Sequence, residues 1–524
     1  MAEEIELKLA LAPELVGALR RDPTLKAQAL KRPVTRRLFS VYYDTPELEL
    51  SQAGMALRVR RVGQRFVQTL KVAGAAGGGL HQYAEHEQPL ASERPDLASI
   101  AEPALKRFLA KKKIAHRLVP VFSTEIKRRV WLLGVGGAEI EVALDEGEIQ
   151  SGGQRLAITE LELELKLGAT EAVYDLAIDL AQRWPFRIEW QTKAARGYRL
   201  FLGAEQEARR GSPIAIERGA TAQSAFGDIA RACLAQFGAN EAVVERGEDP
   251  EGVHQARVAL RRMRALVAAY RHYMANDVHG WLSQELRWLQ QELSPARDWD
   301  VFVGYTLPPI LRRLPEDLAL QHLQGEAEAV RRAAYDTVRA LFASPRYTLL
   351  LLKVGRLIEA GDWKAPAGTS EAATLDEPIK RFADRLLAFR QRRLKKFAKK
   401  RESLSESELH RLRLLAKKLR YSADFFRSLY AQKPVRRFYA AIAELQDRLG
   451  SINDAVVTHG LLQKLEPRMP DSAEAAHAIG LVRGWQAAKI DQDLIGFAQV
   501  WKDFSAAKPF WGKPREPAKP AGAE

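Results

Sequence analysis

Four runs near the start of the chain put a charged side chain at every second position or nearly so: Glu4-Ile5-Glu6-Leu7-Lys8-Leu9, Ala56-Leu57-Arg58-Val59-Arg60, Ala138-Glu139-Ile140-Glu141-Val142 and Glu160-Leu161-Glu162-Leu163-Glu164-Leu165-Lys166. Period two marks strands with one buried face. What constrains the fold is the composition of the other face. A solvated sheet face mixes both signs with Thr and Ser. Here Arg58 and Arg60 share one side of a strand, Thr69 and Lys71 one side of the next, and Glu160, Glu162 and Glu164 one side of a later strand. Single-sign sets repel along their own strand unless something between them compensates. They cannot face an apolar core unpaired. A closed sheet around a charged, water-filled lumen satisfies both conditions.

The pattern holds to about residue 201, interrupted by helical stretches around 13–21, 97–112 and 170–183. From about 221 to 506 the period becomes 3.6, rich in Leu, Ala, Arg and Glu, and predicts an antiparallel helical bundle. The segment 204–220, with Arg-Arg-Gly-Ser-Pro, reads as a linker, and 507–524 as a disordered tail. The predicted class is α+β: an antiparallel closed β-barrel (1–203), then an all-α helical-bundle domain (221–506) with an internal two-fold repeat. That repeat sets Val253-His254-Gln255-Ala256-Arg257 … Arg261-Arg262-Met263-Arg264 against Leu409-His410-Arg411-Leu412-Arg413 … Lys417-Lys418-Leu419-Arg420 at an offset of 156. The copies fall at about 221–365 and 375–506.

Composition narrows the partners. The chain has 524 residues, 46% hydrophobic and 28% charged, a globular balance that excludes wholesale disorder. Its 81 Lys and Arg against 66 acids give a formal +15, which points to a polyanionic partner. Through Gly203 there are 30 basic and 26 acidic residues, and beyond it 51 and 40, so the helical half carries most of the surplus. A single cysteine, Cys233, excludes a disulfide framework and a cysteine-rich zinc site. The acidic N-terminus is no signal peptide and no run suits a membrane span, so the expected protein is soluble and cytoplasmic, with no membrane partner.

In the strand half, carboxylates suit hard divalent cations that bridge to phosphate oxygens, and Arg and Lys clamp the remaining phosphate charge. The lumen is therefore expected to take a linear chain of phosphates. Glu4-Ile5-Glu6-Leu7-Lys8 resembles the ExExK signature of the CYTH superfamily, the triphosphate tunnel enzymes. Further blocks agree in order: Tyr42-Tyr43-Asp44-Thr45-Pro46, Gly54 to Arg60, Gln68 to Lys71, Ala143 to Gly147, Glu160 to Lys166, and Lys193-Ala194-Ala195-Arg196-Gly197-Tyr198. The resemblance implies a divalent metal, Mg2+ or Mn2+, held by Glu4, Glu6, Asp145, Glu160, Glu162 and Glu164. It implies phosphate binding by Lys8, Arg58, Arg60, Lys71, Lys193 and Arg196, with Glu4, Glu6 and Lys8 as the catalytic set. A further cation lies among Lys127, Arg128 and Arg129; Arg128 is preferred because it shares a face with Phe122, Thr124 and Ile126. Tyr83 stands where family members often carry arginine, a lost cation for which Lys127 or Arg129 could compensate. Lumen charges are not core, so losing Glu6 is expected to stop turnover without unfolding the chain.

On a helix His254, Arg257, Arg261 and Arg264 form one stripe, repeated by His410, Arg413, Lys417 and Arg420 with Lys418 beside it. A further basic run extends from Arg390 to Arg401. A metal between the histidines is disfavoured by the surrounding cations, and nucleic acid by the scarcity of interleaved aromatics. The Arg297-Asp298 and Asn453-Asp454 pairs are expected to cap or brace helix ends. The repeat resembles the CHAD domain, which implies binding of inorganic polyphosphate by these nine stripe residues and an association with polyphosphate granules. The expected activity is metal-dependent hydrolysis of inorganic triphosphate. The alternatives are a weakly catalytic polyphosphate-docking protein and a CYTH enzyme acting on an organic triphosphate, a thiamine triphosphatase or adenylyl cyclase. The 221–506 segment is expected to fold alone.

Overall fold

The structure is a computed structural model that describes residues 2–74, 79–98, 100, 102–398 and 405–512. The alternating runs become strands: β1 (Ala2–Ala10), β2 (Val34–Asp44), β3 (Met55–Val62), β4 (Arg65–Ala73), β5 (Leu80–Leu90), β6 (Val119–Val135), β7 (Ala138–Ser151), β8 (Gln154–Leu167) and β9 (Arg187–Ile188). Their order is β5-β4-β3-β2-β6-β7-β8-β1, and β1 pairs back onto β5, closing an eight-stranded antiparallel barrel. The short β9 pairs with β1 outside that ring. The register lines up the charged alternates around the barrel: Arg58 opposite Thr69, Lys71 opposite Glu85, Arg128 opposite Asp145, Asp145 opposite Glu160, and Glu162 opposite Lys8. Gly147 makes this register possible, because a Cβ there would lie 1.9 Å from the Glu125 carbonyl oxygen on β6.

Two helices complete the motif order, α1 (Glu171–Ala181) and α2 (Lys193–Leu202). The Thr192 hydroxyl caps α2 by accepting from the Ala195 amide at 3.0 Å. Gly197 lets α2 press onto Phe122, whose ring atoms would be 2.2 Å from a Cβ. That close approach carries Lys193 and Arg196 to the barrel charges.

The first compact unit runs to Glu207 and also takes in Leu341–Asp362, a segment from the middle of the helical half. Its helix, Pro345–Ala360, packs on α1: Thr348 Oγ1 donates to the Phe186 carbonyl at 2.8 Å, and Arg356 Nε to Asp175 at 2.5 Å. Gly355 meets the ring of Tyr174, which is fully buried.

The second unit comprises Ala208–Ala340 and the chain from Trp363 onward. It begins with residues 208–220 in neither helix nor strand, though Ile214 and Ile216 are buried. Its repeat reproduces the boundaries of both hairpin helices. An offset of 156 carries α4 (Pro250–Tyr270) onto α8 (Glu406–Phe426), and α5 (Asn276–Glu292) onto α9 (Gln432–Arg448). It carries the start of α6 (Ser294–Val301) onto that of α10 (Gly450–Leu465). Ahead of these hairpins lie α3 (Ala222–Arg246) and α7 (Ile379–Ala398). The apolar side of α4, Val253, Ala256 and Leu260, is buried, which turns its basic stripe to the other side. One core cluster joins Trp299, Phe302 and Leu323 of the first copy to Leu462, Ile479 and Val482 of the second.

Of the segment expected to be disordered from 507, Phe510 and Trp511 instead pack edge-on against Phe438, at 5.6 and 4.8 Å. Two large rings find an apolar partner there, which the proline-rich composition around them hides. Residues 513–524 of that tail, and Lys399-Lys400-Arg401 of the basic run, lie outside the described residues. No helix among the described residues is long and apolar enough to cross a membrane.

Candidate active site and anion cavity

The barrel encloses a dense array of charged side chains. Asp145, Glu160 and Glu162 come from adjacent strands and are at most 7% exposed, and each offers a carboxylate oxygen within 4.8 Å of the others. Such an all-oxygen donor set fits a hard divalent cation. Two cations hold the three acids together. Lys193 Nζ lies 2.7 Å from Asp145 and 2.8 Å from Glu162 and pairs with Glu160. Arg128 grips Asp145 bidentately at 2.7 and 2.6 Å and also reaches Glu162. Burial alone would raise the Glu162 carboxyl, but Lys193, Lys8 and Arg128 hold it well below the usual carboxylate range. Burial opposes the Lys193 charge, yet Asp145, Glu160 and Glu162 lift it to about 12. Arg196 pairs with Glu160 and lies 3.3 Å from Glu189.

β1 places its motif beside this triad rather than inside it. Lys8 pairs with Glu162 and sits 2.9 Å from Glu6, while Glu4 pairs with Lys71. Glu164 stands apart from the triad, 2.5 Å from Lys166, and Glu4 and Glu141 help raise its carboxyl after burial does. The ambiguous basic triplet resolves to Arg128 inside the barrel; Lys127 is exposed, and Arg129 stacks on Trp131 at 5.1 Å. Neither replaces a cation at Tyr83, which pairs with Glu4 in register, lies parallel to His81 and receives the Lys71 ammonium 5.3 Å from its ring centre. Burial, then Glu6, keeps the Tyr83 phenol protonated.

The arginines of β3 are the exception to this pairing. Arg58 reaches Glu85 only at 3.8 Å, and its buried Nε has no hydrogen-bond partner among the described residues. Arg60 donates to the Ser40 hydroxyl at 3.2 Å. Burial, Arg58 and Arg128 push its guanidinium down to about 9. Sequence reasoning missed Tyr42, which stacks on Phe122 at 4.4 Å; burial raises its phenol, but Arg58 and Arg60 leave it below the ordinary value. Its period-two partnership with Ser40, opposite Arg58 and Arg60, was the available signal. The lumen acids are buried and ion-paired rather than solvated, a placement in which loss of one partner leaves a buried charge uncompensated.

In the second unit, the two stripes meet in one cavity of about 630 Å³. His254, Arg257, Arg261 and Arg264 line it from α4, and His410, Arg413, Lys417 and Lys418 from α8. Arg420 is not among its lining residues; it donates to Gln446 at 2.8 Å and lies over the Tyr439 ring. The same bond in the first copy joins Arg264 to Gln290 at 2.6 Å. Arg297 and Asp298 also line this cavity, with Arg257 4.0 Å from Asp298. Asp298 thus faces the stripe instead of capping a helix. Burial, and then neighbouring arginines, push Arg257 down to about 10 despite Asp298, Lys417 to about 7 and His254 to about 4. Arg257 Nε and Nη1 and Arg413 Nε are buried without partners among the described residues. A cation surplus with orphaned guanidinium donors suits a bound polyanion.

Comparison with known proteins agrees with this division. The CYTH domain profile matches residues 2–198 and the CHAD domain profile residues 228–463. An inorganic triphosphatase of Haemophilus influenzae is 35% identical over 211 residues, 39% of this chain. The match spans 56% of that relative, little more than half its length. The crystal structure of the CHAD domain from the plant Ricinus communis is 29% identical with a TM-score of 0.51, covering 58% of this chain and 98% of that one. The first match coincides with the eight-stranded charged barrel and the second lies within the duplicated basic helical unit, and the chain is a CYTH–CHAD two-domain protein.

Proposed function

We propose that the barrel hydrolyses inorganic triphosphate to pyrophosphate and phosphate with a divalent metal, Mg2+ or Mn2+, and that the helical domain binds inorganic polyphosphate. One observation carries the catalytic reading: Arg58 and Arg60 lack close carboxylates inside the same barrel that holds the Asp145–Glu160–Glu162 triad. The triad, with Glu4 and Glu6 beside it, would hold the metal. Bound there, a divalent cation supplies charge neutralisation at the phosphate oxygens and acidifies a water. Arg58, Arg60 and Lys71 bind the phosphate chain, and Arg128, Lys193 and Arg196 complete the cation ring. Lys8, held protonated by Glu162 and Glu6 against its burial, keeps a positive charge facing the reacting phosphate at neutral pH. Water forms a new P–O bond at the terminal phosphorus, the bridging P–O bond breaks, and pyrophosphate leaves with the electron pair.

The polyphosphate reading rests on the cation surplus of the second cavity, and the match to an inorganic triphosphatase supports the barrel's substrate class. A cytoplasmic setting fits both. The test is phosphate release from inorganic triphosphate, ATP, thiamine triphosphate and long-chain polyphosphate, each with Mg2+ and Mn2+. Triphosphate should turn over fastest. Faster release from ATP or thiamine triphosphate would move the enzyme to the organic branch, and no release from any would leave a docking protein.

A further inference from the structure

A second cavity, of about 430 Å³, opens between the end of α4, α7 and α8. It meets the polyphosphate cavity at Ala268 and Lys418, which line both. Its walls combine apolar and aromatic surface, Tyr273, Phe382, Leu386, Phe389 and Leu415, with Arg271, Arg393 and Lys418. Phe389 is 53% exposed, unusual for a phenylalanine on a helix that also supplies core.

The repeat supplies an internal control. At the offset of 156, Phe226 maps to Phe382 and Tyr270 to Phe426, and both pairs are in ring contact, at 5.1 and 6.3 Å, so α3 and α7 are equivalent. Positions that in α7 carry Arg385, Phe389, Arg390 and Arg393 carry Ile229, Cys233, Leu234 and Phe237 in α3, all at most 4% exposed. The first copy fills this place with core. The cations differ as well. Arg262 and Arg427, the equivalents of Lys418 and Arg271, both face Asp424, at 3.4 and 3.6 Å. The equivalent of Asp424 is Ala268. In the open copy the neutralising acid is gone, and among the described residues Arg271, Arg393 and Lys418 have no carboxylate partner. Partial burial, then Arg390, Arg393 and Arg264, press the Lys418 ammonium below its ordinary value, which marks a strongly positive site.

Arg385 is spent on Glu377, and Arg390 on the Lys418 carbonyl and the Ser422 hydroxyl. The others remain for a ligand. An inorganic phosphate chain has no use for an apolar wall, whereas an anion bearing a flat ring uses both surfaces. We propose that this cavity binds a nucleoside polyphosphate, its base against Phe389 and Leu415 and its phosphates at Lys418, Arg271 and Arg393. The volume lies in the range of small-molecule sites. The assignment does not depend on what the barrel hydrolyses.

The test is equilibrium dialysis of the full-length protein with ATP in EDTA, which removes the divalent metal that hydrolysis requires. Phe389→Ala and Ala268→Asp change exposed positions, and the second restores the acid of the closed copy. Each should weaken ATP binding roughly tenfold, the scale of a lost base stack or of a neutralised cation pair. Phe389→Ala should leave the affinities for inorganic triphosphate and long-chain polyphosphate within about twofold. ATP binding unchanged in either variant overturns the assignment. So does a Phe389→Ala variant that loses inorganic triphosphate or polyphosphate as steeply as ATP.

Discussion

The barrel and the helical cavity both concentrate arginine and lysine, and they reach opposite electrostatic ground states. Around the barrel triad each cation has carboxylates: Lys193 is lifted to about 12 after burial by Asp145, Glu160 and Glu162, and Glu162 is driven down by its cations against burial. In the cavity the cations have mainly one another, and Lys417 falls to about 7 by burial, Arg413 and Arg261, with Asp454 opposing. A self-neutralised lumen can exchange its internal ion pairs for a metal and a polyanion together. An unneutralised cavity gains from the polyanion alone. Buried charge therefore has a different relation to stability in each half.

The largest expected effect breaks the comparison if it fails. Glu162→Gln should lower triphosphate hydrolysis at least 100-fold, the scale of a lost transition-state electrostatic contact. It should also destabilise the chain by about 3–5 kcal/mol, because Lys8, Lys193 and Arg128 lose a buried partner. Turnover and denaturant unfolding measured on the same preparation check both. The converse variant, with Arg257, Arg261, Arg413 and Lys417 all changed to Gln, should lose most polyphosphate affinity and much of its salt dependence. Its melting temperature should hold or rise, and the barrel's turnover should be retained. If removing cavity cations costs as much stability as removing a barrel acid, the contrast is wrong.

A smaller effect sharpens the barrel side. Arg58→Ala removes a charge-assisted contact worth about 1.5–3 kcal/mol, seen as weaker triphosphate binding with unchanged polyphosphate affinity. The smallest concerns pH. Lys417 titrates near 7 in the folded chain against an ordinary 10.5, so between those values the unfolded state binds more protons and stability rises with pH. Over the same window the free cavity loses a positive charge, so polyphosphate affinity falls as pH passes 7. Lys417→Met should flatten both slopes, read by calorimetry and binding across pH 6–9.

Much of this arrangement was legible before any coordinates. Period two fixes which side chains share a strand face, so Arg128 separates from Lys127 and Arg129 once Phe122, Thr124 and Ile126 are placed. A fixed offset carries helix boundaries from one copy to the other. What periodicity does not contain is the partner of a face. The stripe grouped Arg420 with its neighbours, yet it is absent from the cavity lining although its bond to Gln446 matches that of Arg264, which does line it. Glu164 shared a face with Glu160 and Glu162, but strand length carried it to Lys166. The 345–360 segment shows an amphipathic helix in sequence, and nothing local says that its apolar side belongs on α1.

That helix alters what it means to cut this protein in two. The barrel's compact unit borrows a segment from the interior of the later sequence, so the chain passes between the units three times. Proteolysis within 204–220 would sever one passage and leave both fragments sharing the Tyr174–Gly355 contact and the Thr348–Phe186 bond. Nicked protein should therefore co-elute as a single species until denatured. An excised 221–506 fragment would leave the Pro345–Ala360 helix with no α1 to pack on, a source of aggregation rather than of misfolding in the repeat itself.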